Sequence, residues 1–262
     1  MLFGMPTLIE LDTIEECASL CKELNLEFLE ISMSLPQYTI NSMDVSKFRR
    51  IADEYGIFYT IHLDENVNFC DFNSYVADAC KRYIADTVKL AKELGVPTIN
   101  MHFHRGEHFT LPDRKIDLYA VYREHYIKSI YAFRDMCENT IGDADITICI
   151  ENCNGYPEFQ KEALDILLQS HVFGLTFDIG HNHGCGNIDE AYIINNKDHL
   201  CHMHMHDALG KKNHLALGTG ELELDKYLSL AEDQKCRVVL ETKTIEGLKQ
   251  SVNWMRQKGF IK

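Results

Sequence analysis

Short apolar runs alternate with longer amphipathic segments along the whole chain. The apolar runs have the length of β-strands and are Leu2–Met5, Phe28–Met33, Phe58–Leu63, Thr98–Phe103, Ile146–Glu151, Gly174–Ile179, Leu200–His206 and Arg237–Glu241. The amphipathic segments have the helical period and are Thr13–Leu24, Val45–Tyr55, Tyr75–Leu94, Leu118–Asn139, Phe159–Gln169, Ile188–Asn195, Leu224–Glu232 and Ile245–Gln257. The pattern therefore predicts eight strands, each followed by a helix.

Eight strand–helix units in 262 residues predict an α/β fold, a single (β/α)8 TIM barrel that occupies residues 1–262 as one domain. A doubly wound open sheet is the alternative. That fold would place a glycine-rich phosphate loop after the first strand, and Pro6-Thr7-Leu8 is not such a loop. No stretch has the composition of a linker between two domains.

Four predicted strands end in residues of the types that commonly bind metals in proteins. Glu151, Asp178, His204 and Glu241 each close a short apolar run. The carboxyl ends of barrel strands meet at one mouth, where active sites collect, so we expect these side chains to lie together. A buried carboxylate is costly unless it is paired or binds a metal. One such residue alone could cap a helix or hold an arginine, but four together predict a mixed oxygen and nitrogen site for a divalent metal.

Further histidines are expected near the same mouth. His62 and His104 also follow apolar strands, His181 comes after the turn at Gly180, and His214 falls in the seventh loop between strand and helix. We interpret these four as substrate-binding residues or as ligands of a second metal. His102 and His202 lie deeper in their strands and are interpreted as hydrogen-bonded interior groups.

Composition narrows the class of partner. The formal charge of −14 repels phosphate backbones, which makes nucleic acid an improbable main partner. The ten cysteines form no CxxC pair, six of them fall within predicted strands and helices, and the first residues do not resemble a secretory signal. We therefore expect reduced thiols and a cytoplasmic location. No apolar run is long enough to span a membrane, and a homo-oligomer is left open.

In their order and spacing, several of these motifs are together similar to the xylose isomerase-like TIM barrel superfamily, which includes sugar epimerases of the tagatose 3-epimerase type and endonuclease IV. The resemblance covers essentially the whole chain. The motifs that carry it are Ile150-Glu151-Asn152, Phe177-Asp178-Ile179-Gly180-His181, His204-Met205-His206-Asp207, His214-Leu215-Ala216-Leu217-Gly218-Thr219-Gly220 and Leu240-Glu241-Thr242.

The epimerase branch of the superfamily implies one divalent metal held by Glu151, Asp178, His204 and Glu241. The metal would be Mn²⁺ first of all, with Mg²⁺, Co²⁺ and Zn²⁺ as alternatives. The resemblance implies that it binds the carbonyl and neighbouring hydroxyl of a small polyhydroxylated substrate, a sugar or sugar phosphate. Glu151 and Glu241 would then be the catalytic residues that move a proton through an enediolate. The further glutamate of that family is replaced here by Pro157.

The endonuclease IV branch implies a multinuclear zinc site. All of its matching positions are present, namely His62, His104, Glu151, Asp178, His181, His204, His214 and Glu241. Three departures weaken that interpretation: Lys212 replaces an aspartate, Glu65 replaces a tyrosine, and Arg105 replaces the proline of a His-Pro-Gly motif. The sequence therefore favours a metal-dependent sugar isomerase or epimerase, with an AP endonuclease or a dehydratase of a sugar-like substrate as alternatives.

Overall fold

Eight parallel strands close into a barrel in the computed structural model, which describes all residues from Met1 to Lys262. We label them β1 to β8: Leu2–Pro6, Phe28–Ser32, Phe58–His62, Thr98–His102, Thr147–Glu151, Phe173–Asp178, Leu200–Met205 and Arg237–Leu240. Each strand pairs in parallel with its two neighbours, and β1 closes the ring on β8. The predicted (β/α)8 barrel is confirmed, and its strands end within one residue of the predicted positions at most sites.

Helices surround the barrel, and five of the ten α-helices begin at a side-chain cap. The α-helices are Ile14–Glu23, Val45–Tyr55, Ser74–Leu94, Leu118–Val121, Arg123–Ile141, Glu158–Leu167, Ile179–Gly184, Glu190–Asn195, Leu224–Asp233 and Ile245–Gln257. Thr13 and Glu16 form a reciprocal capping box at the first helix. Gly95 ends the third helix at φ 69°, a left-handed conformation that glycine adopts at little cost. None of the helices is both long and apolar enough to cross a membrane.

Three features of the fold were not visible in the apolar pattern. The sixth strand was expected to reach Ile179 and to turn at Gly180, but β6 ends at Asp178 and the short helix Ile179–Gly184 follows directly. The helix predicted for Leu118–Asn139 is interrupted at Tyr122, whose backbone leaves the helical region. Two short antiparallel hairpins rise from the loops after β4 and β7: His108–Thr110 pairs with Lys115–Asp117, and Asp207–Leu209 pairs with Lys212–Leu215. Their strands of three or four residues are too short to produce a recognisable alternation.

The core divides into an apolar shell and a polar barrel interior. One cluster of 69 buried apolar residues fills the space between strands and helices. Inside the barrel, by contrast, polar residues such as Glu30, Thr60, Asn100 and Thr176 are buried and hydrogen-bonded to one another or to the site described below. Buried polar groups are tolerated when each finds a partner, so this interior can support charged side chains at the mouth.

Candidate metal centre

The four predicted strand-end residues converge on one point at the carboxyl end of the barrel. His204 Nδ1 lies 3.4 Å from Glu151 Oε1, 3.3 Å from Glu241 Oε2 and 3.8 Å from Asp178 Oδ2. Glu151, Asp178 and His204 are fully buried, and Glu241 is 6% exposed. Three carboxylates and an imidazole thus share a buried pocket, where like charges would repel unless a cation or protons compensate them.

The atoms that face one another at this point form no hydrogen bond, although the imidazoles of His181 and His214 lie 3.3 Å from Glu151 Oε1 and 3.8 Å from Glu241 Oε2. Glu151 Oε1, Glu241 Oε2 and His204 Nδ1 are all buried without a hydrogen bond. Ligand atoms held about 2.1 Å from one ion lie about 3.0 Å apart in an octahedron and about 3.4 Å apart in a tetrahedron. The observed separations of 3.3 to 3.8 Å are therefore compatible with a single divalent ion. The residues present fit such an ion by donor type, burial and spacing.

The second oxygen of Glu151 is fixed by the barrel interior. Asn100 Nδ2 donates to Glu151 Oε2 at 2.5 Å, and the Thr176 hydroxyl donates to Asn100 Oδ1 at 2.6 Å. Because its oxygen accepts from Thr176, the Asn100 amide must present its NH₂ group to Glu151. These two hydrogen bonds fix Oε2 of Glu151 and leave Oε1 directed to the centre of the site.

The two carboxylate oxygens of Glu241 also have different surroundings. Lys243 Nζ lies 2.7 Å from Glu241 Oε1, while Oε2 faces His204. Lys243 is the only lysine or arginine that lines the central cavity, which has a volume of about 170 Å³. The cavity is lined by Pro6, Thr7, Leu8, Ile9, Glu30, Ser32, Leu35, His62, Glu65, Glu241 and Lys243. The site therefore opens through Glu241 and His62 to a space that suits a small polar molecule.

Asp178 has a structural role as well as a place in the site. It caps the short helix Ile179–Gly184, and its Oδ1 accepts from the His181 backbone N–H at 2.6 Å. His206 Nε2 lies 3.2 Å from both carboxylate oxygens. The His214 backbone N–H donates to His206 Nδ1, so the proton of a neutral His206 ring sits on Nε2 and points to Asp178.

Burial and neighbouring charges shift the pKa values across the site. Burial alone would raise the pKa of the Glu151 and Glu241 carboxyls, but His204 and other cations hold both well below their usual range. Burial alone would lower the pKa of His204, but Glu151 and Glu241 hold it well above its usual value. In the metal-free protein, the carboxylates are therefore ionised and His204 carries a proton.

Three of the four surrounding histidines lie beside the four-residue set, and one does not. His62 Nε2 and His181 Nδ1 each lie 3.3 Å from Glu151, and His214 Nδ1 lies 3.8 Å from Glu241 Oε2. His104 lies after β4, where its Nδ1 accepts from the Gly106 backbone N–H, and it lines a neighbouring cavity of about 240 Å³ that His102 and Glu65 also line.

Several residues of the site were not selected from the sequence. His102, interpreted as an interior group, places Nε2 3.5 Å from Glu151 Oε2. His206, Asn100 and Lys243 contact the three carboxylates, and Glu30 lies directly below His204. The alternation of β7 carried a signal for His206, which shares a strand face with His204. Asn100 and Lys243 carried none, because an amide or a lysine near a strand end is common on ordinary surfaces.

Gly180 is required by the site because a side chain there would overlap the ring of His206. We expect Gly180→Ala to displace His206 from Asp178, to destabilise the protein by about 1–3 kcal/mol and to weaken metal binding. Gly184→Ala in the same short helix is the matched control, since its Cβ would meet nothing within 4 Å. Thermal unfolding and Mn²⁺ titration of both variants check this. Equal behaviour of the two would contradict it.

The fold and the site together define a (β/α)8 barrel with a buried carboxylate and histidine centre at its mouth. Residues 17–258 match the family described as the xylose isomerase-like TIM barrel, and the chain belongs to this family. No curated protein matches the chain in sequence.

Solved structures with the same fold include three of particular interest. A D-tagatose 3-epimerase-like protein is 21% identical with a TM-score of 0.79, over 98% of this chain and 96% of that one. The 3-keto-D-glucoside 4-epimerase YcjR from E. coli, in apo form, is 16% identical with a TM-score of 0.76, over 98% and 99%. The IOLI protein with a binding zinc atom is 16% identical with a TM-score of 0.74, over 99% and 96%. At these identities the similarity shows the fold.

Proposed function

We propose that this protein is a divalent-metal-dependent isomerase or epimerase of a sugar or sugar phosphate. One observation carries the proposal: Glu151 and Glu241 each have one oxygen held by a hydrogen bond or ion pair and one buried oxygen that faces His204 Nδ1 without a hydrogen bond. An arrangement that leaves buried oxygen and nitrogen atoms unsatisfied at a shared point is expected where a cation binds. The epimerase and zinc-binding names of proteins with this fold give further support.

Glu151, Asp178, His204 and Glu241 would hold the metal. A bound divalent ion would supply Lewis-acid polarisation of a carbonyl oxygen, and Mn²⁺ is the ion we expect, with Mg²⁺, Co²⁺ or Zn²⁺ as alternatives. Glu151 and Glu241 approach the centre from β5 and from the end of β8, so they reach it from different directions. One carboxylate can remove a proton from the carbon next to the carbonyl, and the other can return it.

The surrounding groups suit a small polyhydroxylated substrate. His62 lines the central cavity, and His181 lies above Glu151 with part of its side chain exposed. Their ring nitrogens can donate to or accept from hydroxyl groups, which would orient the substrate over the carboxylates. The one cation that lines this cavity, Lys243, is already paired with Glu241, so the cavity offers little to a polyanionic backbone.

Exchange of substrate protons with solvent tests the proposal. The protein loaded with Mn²⁺ would be incubated in D₂O with a panel of ketoses, ketose phosphates and keto-glycosides, and deuterium at the carbon next to the carbonyl would be followed by NMR. We expect exchange with at least one compound, and we expect a chelator to abolish it. Absence of exchange across the panel, in protein shown to hold metal, would overturn the proposal.

A second metal is the alternative that the geometry keeps open. His62 Nε2 and His102 Nε2 lie 3.3 and 3.5 Å from Glu151 Oε2, on the side away from His204 Nδ1. A multinuclear site would favour the AP endonuclease function. Metal analysis of the purified protein distinguishes the epimerase from the nuclease. About one ion per chain supports the epimerase. About three zinc ions per chain, together with nicking of abasic duplex DNA, support the nuclease.

Metal binding should release protons. Burial alone would lower the pKa of both His62 and His181. Glu151 instead raises the pKa of His62 to about 9, and Asp178 together with Glu151 raises the pKa of His181 to about 9. His204 has its pKa raised in the same direction. These rings are protonated in the metal-free protein at neutral pH, so an incoming cation must displace at least the proton of its own ligand. We expect apparent Mn²⁺ affinity to rise with pH up to about 9.

Calorimetric titration in two buffers with different ionisation enthalpies measures this release directly. The difference between the two apparent binding enthalpies gives the number of protons displaced per ion. A binding enthalpy that is the same in both buffers, or an affinity that does not change from about pH 6 to about pH 9, would contradict the prediction.

A further inference from the structure

Glu30 is a buried carboxylate that the proposed reaction does not use. It lies in β2, is 1% exposed and points into the barrel below the metal centre. Lone carboxylates are very rarely buried to this degree, because the loss of hydration is large unless partners compensate for it. The groups around Glu30 should therefore reveal what it does.

Both oxygens of Glu30 contact histidines of one strand. Glu30 Oε2 lies 2.8 Å from His202 Nε2 and accepts from the Thr60 hydroxyl at 3.2 Å. Glu30 Oε1 lies 2.8 Å from His204 Nε2. The contact with His202 is an aligned hydrogen bond. The contact with His204 is equally short, although its N–H direction lies off the line to Oε1.

These contacts have the length of direct hydrogen bonds between a carboxylate and an imidazole. Donors held about 2.1 Å from one divalent ion are separated by about 3.0 to 3.4 Å, whereas Glu30 approaches both imidazoles at 2.8 Å. Glu30 is thus a direct partner of His202 and His204. It is held from below by His202 and Thr60 and meets His204 from the side opposite the three carboxylates.

The position of Glu30 decides which nitrogen of His204 is free. An imidazole that binds a metal through one nitrogen keeps its proton on the other, and a carboxylate beside that N–H fixes the tautomer and the ring orientation. Glu30 faces Nε2, and Glu151, Asp178 and Glu241 face Nδ1. The Nδ1 lone pair is therefore directed to the centre of the site.

We propose that Glu30 is a positioning residue that selects Nδ1 of His204 as the metal-binding nitrogen and that His202 and Thr60 hold Glu30 in place for this task. The inference rests on the proposed metal-dependent function. Glu30 also lines the central cavity, but the role proposed here is exercised through His204.

Substitution by glutamine tests this role with little change of shape. In Glu30→Gln one oxygen becomes an NH₂ group, so the side chain cannot accept from both histidines. We expect Mn²⁺ affinity to fall about 10- to 100-fold. The melting temperature of the metal-free Glu30→Gln protein should change no more than that of the control variant Asp189→Asn. Glu30→Asp keeps the charge and should recover part of the affinity, and it also serves if the glutamine variant does not fold.

Asp189→Asn is the matched control. Asp189 is also a buried carboxylate, 1% exposed, but it accepts from the Tyr156 backbone N–H and has no contact with the metal centre. We expect this variant to bind Mn²⁺ with wild-type affinity. A Glu30→Gln protein that binds as tightly as Asp189→Asn would overturn the positioning role.

A spectroscopic measurement on the unchanged protein completes the test. Nitrogen-15 NMR of the Zn²⁺-loaded wild type, with His204 assigned by substitution, reports which ring nitrogen carries the proton. A proton on Nε2 and zinc on Nδ1 support the inference, and zinc on Nε2 overturns it. Wild-type protein that binds no divalent metal would overturn the proposed function as well, whereas tight binding that ignores Glu30 would overturn the positioning role alone.

Discussion

Glu151→Gln is expected to reduce the rate of proton exchange by about 10³-fold or more. The Asn100 amide must present its NH₂ group to residue 151, because its oxygen accepts from Thr176. A glutamine would therefore turn its own oxygen to Asn100 and its NH₂ group to the centre of the site. The substitution places a donor where a cation should bind and removes the base, so both metal affinity and proton transfer should fail.

The measurement is deuterium exchange at saturating Mn²⁺, with bound metal quantified in the same samples. Glu158→Gln is the control, since Glu158 begins the helix after β5 and is paired only with Lys161 on the surface. That variant should match the wild type. A Glu151→Gln protein that exchanges within tenfold of the wild type would show that this carboxylate is neither a ligand nor a base.

Asp207→Ala is expected to lower the free energy of unfolding by about 3–5 kcal/mol. Asp207 is 1% exposed and accepts four backbone N–H groups, two at each oxygen. The donors are Ala208 and Leu222 at Oδ1, and Gly218 and Gly220 at Oδ2, at 2.8 to 3.2 Å. Alanine would leave these N–H groups without an acceptor and would release the loop that follows His214.

Urea denaturation of the metal-free protein measures the loss. Asp225→Ala provides the comparison, because Asp225 is exposed and its ion pair with Lys258 lies in solvent. A surface pair of this kind contributes less than about 1 kcal/mol. If both variants lose the same stability, the loop does not depend on Asp207 in the way that its hydrogen bonds indicate.

The fold could be predicted because its signals are local and repeated. Each strand is a short apolar run, each helix has the 3.6-residue period, and the barrel follows from eight such units. The break at Tyr122 was missed because it falls beside the apolar residues Leu118–Val121, which continue the helical pattern, and the two hairpins were missed because their strands are only three or four residues long. The first hairpin is closed by an ion pair between Arg105 and Asp117, a contact that the apolar pattern does not indicate.

The sequence predicted which strand ends form the site, but it did not predict the residues that contact them. A strand alternates its faces, so position alone indicated that Glu151, Asp178, His204 and Glu241 point to the mouth. The choice between His102 and His104 could not be made this way, since the two share a predicted face. In the structure, β4 ends at His102 and the chain turns after this residue. His102 therefore lies beside Glu151, whereas His104 lies beside Gly106.

The sequence by itself determined the barrel and the four residues that meet at its mouth, because strand period and strand order follow from local chemistry. Only the tertiary structure decided which atom of each residue faces the centre. Asn100 and Lys243 occupy one oxygen of Glu151 and of Glu241, and Glu30 faces one nitrogen of His204. These partners are 51, 2 and 174 residues away along the chain, and barrel closure brings all but Lys243 to the site from other strands. Since the direction of a lone pair depends on such contacts, it cannot be derived from the order of the residues.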